Sequence, residues 1–194
     1  MTLAEKRAQL KKEEILRSAM KSIREVGFQR ATMEQIAAKL LMTKGSLYYY
    51  FKNKEEILYE CHKLVLLRAY EAQQAILSEN EHVLTTLEKM LGVHIEAVIE
   101  EKEFFNLLHD PKETFEENYL KETLALRKQY QTTFDTLIER GIEQGEFKVD
   151  HVFITRMTIL GALNWSQQWY KVDGKLTKEQ LKGQFFSMIK KLLI

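Results

Sequence analysis

Little in this chain punctuates or cross-links it: among 194 residues there are one proline, one cysteine and eight glycines. A lone Cys61 cannot close an internal disulfide, so thiol content gives no sign of an oxidising compartment. The scarcity of proline and glycine argues against a β-rich fold with its frequent tight turns and predicts an all-α chain. No apolar run approaches the roughly 20 residues needed to cross a bilayer, and the opening MTLAEKRAQLKKEE lacks the apolar core of a signal peptide. A cytoplasmic protein that does not engage a membrane is the simplest expectation. The patterns of site chemistry are scarce as well. The five histidines form no HxxxH pair and no Cys/His ligand spacing, which argues against a metal site, and no glycine-rich phosphate loop occurs. Cys61 and His62 are adjacent and so point roughly 100° apart on a helix, which prevents direct pairing of a nucleophile with a base. We expect no catalytic residue, no metal and no cofactor.

What the chain does have is an uneven charge. Its net charge is +1, with 29 Lys+Arg against 28 Asp+Glu. Residues 1 to 54 hold 12 basic and 5 acidic side chains, a balance of +7, which leaves 17 against 23 for the rest. A basic end on an acidic body concentrates attraction for phosphates at that end. By charge alone, a solvated basic face explains the asymmetry equally well.

The stretch TMEQIAAKLLMTKGSLYYYFKNK, Thr32 to Lys54, is more specific. Thr32 with Gln35 forms a capping box, and Met33, Ile36, Ala37 and Leu40 give the helix that follows one apolar face. Thr43 caps a second short helix in which Leu47 and Phe51 face inward. Lys44, Ser46, Tyr48, Tyr49 and Lys52 are left on the outward side. Hydroxyls, amines and phenols there suit phosphates and base edges. The candidate DNA-contacting set is Thr32, Met33, Lys44, Gly45, Ser46, Tyr48, Tyr49, Lys52 and Lys54. Upstream, Lys6, Arg7, Lys11 and Lys12 could form a loose arm on the DNA backbone or simply a frayed helix start.

KGSLYYYFKNKEEIL closely resembles the recognition-helix signature of the TetR/AcrR transcriptional regulators, and GFQRATMEQIA resembles what precedes it in them; the resemblance covers about residues 10 to 60. It implies a homodimeric repressor of a palindromic operator, with a three-helix helix-turn-helix head at residues 1-53 and a six-helix ligand-sensing and dimerisation body at residues 54-194. One departure is visible. The inter-helix turn commonly carries glycine, and here it reads Leu40, Leu41, Met42, so that Leu41 in a left-handed conformation would be strained.

Helices are expected from about Glu5 to Val26, stopped by Gly27 with Phe28 folding back; from Lys54 to Ser78; over 82–101; from Lys112 to Gln144; over 150–171; and over 177–193, with a short apolar piece at 104–108. His94 shares a stripe with Leu87, Leu91 and Val98. It reads as a core histidine with its hydrogen bonds met, or as a polar contact in a ligand pocket. Tyr70, Phe104, Phe105, Tyr119, Tyr130 and Trp165 read singly as core, and together as an apolar pocket with a few hydroxyls for a small lipophilic effector. GALNWSQQWY is similar to segments in family members that sense acyl-CoA or related acyl compounds. The last two helices carry more apolar surface than one monomer covers. A four-helix dimer interface is therefore expected at Met157, Leu160, Gly161, Asn164, Leu181, Phe185, Met188 and Leu192. Two alternatives stand beside this reading: a helical bundle that binds or transforms a lipophile and keeps a degenerate DNA head, and an architectural DNA-coating protein.

Overall fold

Threonine or asparagine begins most of the helices. The computed structural model describes residues 2–27, 29–102 and 111–194. Among them lie α1 (Leu3–Val26), α2 (Met33–Lys39), α3 (Lys44–Tyr50), α4 (Lys54–Ser78), α5 (Val83–Glu100), the single turn α6 (Pro111–Thr114), α7 (Glu117–Glu143), α8 (Val152–Trp169) and α9 (Lys178–Leu193). Capping boxes form at Thr32 with Gln35 and at Thr177 with Gln180, and Asn53 accepts from the Glu56 amide. Each supplies an acceptor to a helix-end N–H that has no intrahelical partner.

A third capping box, Thr2 with Glu5, corrects the sequence reading of the N-terminus. It starts α1 at Leu3, so Lys6, Arg7, Lys11 and Lys12 are wound into a helix and do not form a loose arm. Lys11 pairs with Glu14 at 2.7 Å, and the Lys12 ammonium lies 5.8 Å from the centre of the Phe51 ring. Gly27 ends α1 as expected, at φ 79°, with its N–H on the Ile23 carbonyl. Phe28, Phe104, Phe105 and the apolar piece expected at 104–108 lie outside the described residues.

The helix expected from Lys112 is broken between α6 and α7. Phe115 sits at the break, buried, with its ring against Tyr59 and His62 at centroid distances of 6.1 and 6.0 Å. Burying a phenylalanine is worth about 2 kcal/mol or more, which exceeds the net value of about 1 kcal/mol for a helical hydrogen bond.

The helices enclose two cores. Ile15, Ala19 and Ile23 of α1 meet Ile36, Leu47 and Ile57 in the head. Leu87, Leu91 and Ile95 of α5 meet Phe134, Leu163 and Leu181 in the body. Helix α4 belongs to both: Ile57, Leu58 and Cys61 lie in the first, Leu66, Ala69 and Ile76 in the second. Further ties cross the junction. Arg24 of α1 lies 3.6 Å from Glu101, and the Glu55 carboxylate accepts from the Glu116 amide at 2.8 Å. The Tyr59 hydroxyl donates to Glu122. No helix among the described residues is long and apolar enough to cross a membrane.

Candidate DNA-binding surface and ligand cavity

Between α2 and α3 the chain turns through Leu41 at φ 53°, the left-handed position anticipated from the sequence. The hydrogen bonds around it are complete: Leu41 N–H donates to Ala38 O at 3.1 Å and Met42 N–H to Ala37 O at 2.9 Å. This is the Schellman pattern, and Met42 packs back on the head core as its hydrophobic closure. Leu41 itself is 98% exposed, so strain at that position is not offset by packing. The turn keeps complete backbone hydrogen bonding despite that strain.

That turn sets α3 with Leu47 and Phe51 buried and Lys44, Gly45, Ser46, Tyr48 and Tyr49 exposed, with Lys52 exposed just beyond. Thr43 Oγ1 caps α3 by accepting from Ser46 N–H at 3.1 Å, and its hydroxyl also meets that of Ser46 at 2.9 Å. Lys44 forms an ion pair with Glu34 that joins α3 to α2 and holds the Glu34 carboxyl below its usual pKa. Lys54 reaches the Gln29 carbonyl at 3.3 Å, tying the start of α4 to the turn after α1. Thr32 is exposed and occupied as a cap. Met33 departs from the expected set: the residue is 5% exposed and packs in the head core.

In the body a cavity of about 50 Å³ opens between α4, α5, α7 and α8. Its apolar wall is Val65, Leu66, Ala69 and Leu160, and its polar groups are His62, His94, Arg127, Tyr130, Gln131 and Asn164. Hydrogen bonds fix the inner edge. Gln73 Nε2 donates to the Met90 carbonyl at 3.0 Å and to the Tyr130 hydroxyl at 3.2 Å. Tyr130 then gives its proton to His94 Nδ1 at 2.8 Å, and His94 Nε2–H donates to Asn164 Oδ1 at 3.0 Å. The Met90 carbonyl only accepts, which fixes Gln73 Nε2 as the donor to Tyr130; the Tyr130 hydroxyl then has its own proton to give to His94 Nδ1, and the tautomer with the proton on Nε2 satisfies every group of the chain. His94 is thus both the satisfied core histidine and the cavity contact.

Burial pushes the His94 pKa down to about 4, outweighing the Asn164 bond that favours its charged form. His62 is pushed down to about 4 by burial and by the positive charge of Arg127, and both its ring nitrogens are buried without a hydrogen-bond partner. The neighbouring Cys61 is fully buried, burial raises its thiol pKa, and its Sγ lies 3.7 Å from the Leu16 carbonyl oxygen.

Of the expected pocket residues, His94 and Tyr130 come together here. Tyr70 packs half-buried on the body core off the cavity wall, and Tyr119 belongs to the head-side cluster, stacked on Tyr59. Trp165 is 59% exposed on the outer face of α8. Asn164, one residue earlier, faces the cavity, and Leu160 joins it; both were expected at a dimer interface. Leu181 is buried in the monomer core. His62, Arg127 and Gln131 were missed. They interrupt apolar stripes, His62 that of Val65, Leu66 and Ala69, and Arg127 and Gln131 that of Tyr130 and Phe134, and a polar residue in register with a buried face was the available signal.

The rest of the expected interface forms an uncovered apolar face. Phe153, Met157, Gly161 and Trp165 follow one another at four-residue spacing along α8, all exposed, and Met188 and Leu192 are exposed on α9. Between these helices runs a groove of about 580 Å³ lined by Ala162, Trp169, Phe185, Met188 and Leu192. A Cβ placed on Gly161 meets nothing within 4 Å.

Comparison with known proteins agrees with this anatomy. The chain is 26% identical over 191 residues to the HTH-type transcriptional repressor KstR2 of Mycolicibacterium smegmatis, covering 92% of this chain and 88% of that one. Among solved structures, the TetR family transcriptional regulator PfmR of Thermus thermophilus is 28% identical with a TM-score of 0.80, over 91% of this chain and 97% of that one. AibR, solved in complex with isovaleryl coenzyme A and operator DNA, superposes with a TM-score of 0.79 at 24% identity, over 91% of this chain and 96% of that one. Residues 15–61 match the bacterial regulatory proteins of the tetR family, and residues 81–193 the tetracyclin repressor-like C-terminal domain. With its helix-turn-helix head and its all-helical body both matched, the chain belongs to the TetR family of DNA-binding transcriptional regulators.

Proposed function

We propose that the protein is a repressor that binds a palindromic operator as a homodimer and leaves it when a lipophilic acyl compound enters the body. In the head, residues 1-53, α3 enters the major groove. Lys44 and Ser46 at its start reach base edges as Lys44 exchanges Glu34 for DNA, and Gly45 lets the backbone approach. Tyr48, Tyr49, Lys52 and Lys54 hold phosphates, with the Thr32 end of α2 and the Met33 backbone N–H against the strand. The body, residues 54-194, pairs with a second copy through the exposed faces of α8 and α9, where Met157, Gly161, Phe185, Met188 and Leu192 meet their mates and Trp165 adds to the contact.

The observation that carries the effector response is the double membership of α4. Its first residue, Lys54, lies four positions after the last residue of the recognition helix, and His62, eight residues later, lines the cavity, about 12 Å along the same helix. A cavity of 50 Å³ is small for an acyl chain. Occupation therefore has to spread the helices around it, and displacing α4 turns the head. The complex of AibR with isovaleryl coenzyme A and operator DNA supports the acyl class.

The test is selection of bound genomic fragments by the full-length protein, followed by titration of the selected site with acyl compounds of increasing length. Two chains per palindromic site, released by an acyl compound, are expected. Binding without sequence preference, or complexes indifferent to every acyl compound, would contradict the reading.

A further inference from the structure

We infer that the part of the effector seated deepest in the cavity is a carboxylate, held by Arg127 between the side-chain amides of Gln131 and Asn164, so that the natural ligand is an amphipathic acid. This rests on the effector-responsive reading above and narrows it.

Among the described residues the cavity is rich in donors and carries no anion. Neither aspartate nor glutamate lines it among the described residues. No carboxylate stands within salt-bridge distance of Arg127 among the described residues, and burial lowers its pKa. Asp135, two turns further along α7, is engaged at 2.7 Å by Arg156. A partly desolvated guanidinium without a counter-ion is costly, and its planar fork fits a two-oxygen acceptor.

The amides are oriented to help. Gln131 Oε1 accepts from Arg156 Nη1 at 3.1 Å, and because arginine only donates, the Gln131 oxygen must lie on that side. Its NH₂ remains uncommitted on a residue that lines the cavity. The relay from Met90 through Tyr130 and His94 ends on Asn164 Oδ1 and leaves the Asn164 NH₂ uncommitted in the same way. His62 adds an imidazole with both nitrogens buried and unpartnered, one of which carries a proton in the neutral ring. A carboxylate offers about four lone-pair sites to these donors. Val65, Leu66, Ala69 and Leu160 provide the wall for the carbon chain behind it. A neutral alcohol or ester would leave Arg127 facing an apolar group.

The test is calorimetric titration of the full-length protein with octanoate, octanol and octanoyl-CoA, repeated on Arg127→Gln. Arg127 makes no ion pair among the described residues, so this substitution removes no salt bridge there, and operator binding by the effector-free variant serves as the control for folding. Octanoate is expected to bind at least about tenfold tighter than octanol, and Arg127→Gln to remove that preference. Equal binding of acid and alcohol, or octanoate binding unchanged in Arg127→Gln, overturns the carboxylate inference. It leaves the acyl-responsive reading standing if octanoyl-CoA still releases the operator. A protein that binds none of the three and stays on its operator overturns both.

Discussion

The rings of Tyr59 and Tyr119 stack at 4.4 Å between centroids with 22° between their planes, joining α4 to α7 where the head meets the body. Tyr59 is buried and also donates to Glu122, while Tyr119 is half-buried. The stack is one of the contacts, with the Lys63–Glu122 pair and the Gln73–Tyr130 bond, that couple α4 to α7. Tyr119→Ala should cost about 1 kcal/mol of stability, the value of an aromatic pair. It should also reduce the ratio of operator affinities without and with effector, while effector affinity stays near wild type. Paired anisotropy titrations of operator and effector check it, and an unchanged ratio would remove the stack from the path.

Leu41 tests the helix-turn-helix turn. Its left-handed backbone costs roughly 1–2 kcal/mol for a residue with a Cβ, and its side chain is exposed. Leu41→Gly should therefore raise stability, by about 0.5–1 kcal/mol after the greater freedom of glycine in the unfolded chain is counted. Urea denaturation reads this directly. A loss of stability would mean that the Leu41 side chain has a role its exposure does not reveal.

On the DNA face, Tyr48→Phe and Lys52→Ala should weaken binding to every sequence alike, and Lys52→Ala should make the salt dependence shallower by about one counterion. Lys44→Ala and Ser46→Ala should instead change which bases are preferred. Operator variants titrated over a range of salt separate the two classes. Uniform behaviour of all four would place base readout on other residues.

Stability should fall with acid in a window set by two buried histidines. His62 and His94 have pKa values near 4 when folded and near 6.5 when unfolded, so between those values the unfolded chain binds more protons and folding weakens as pH falls. Each should cost about 2 kcal/mol between about pH 7.5 and about pH 5, with little change above that window. His94→Gln should flatten the profile measured by urea unfolding, and a slope unchanged by that substitution would assign the acid sensitivity elsewhere.

For the dimer, Gly161→Arg is a suitable probe, since Gly161 is exposed and a Cβ there meets nothing within 4 Å. Sedimentation should show a folded monomer with operator affinity greatly reduced. A variant that remains dimeric would place the interface away from α8.

The head was legible because its signals are local: a capping box, an i, i+4 pair at Leu47 and Phe51, and a turn whose geometry required a left-handed residue at Leu41. The cavity was legible only in part. His94 and Tyr130 lie on apolar stripes and can be placed inward, whereas His62 and Arg127 break such stripes and are enclosed only by the packing of α4 against α7. Asn164 lines the cavity and Trp165 lies exposed, the reverse of the expected placement, for a similar reason. Neighbours on a helix differ by roughly 100° in direction, and the composition of α8, apolar on most sides, does not say which side meets α5. The break at Phe115 is tertiary in origin, since nothing in the local sequence from Lys112 onward forbids a continuous helix.

The central claim, that filling the body cavity moves the heads through α4, is tested most directly by the distance between heads in the dimer. Cys61 is fully buried, so a spin label on an introduced Arg17→Cys, exposed on α1, reports without interference. On operator DNA the label separation should be narrowly distributed, with the recognition helices set for major grooves about 34 Å apart. Adding a saturating acyl effector should shift that distribution as DNA is released. An unchanged distribution in the effector-bound, DNA-free dimer would contradict the account.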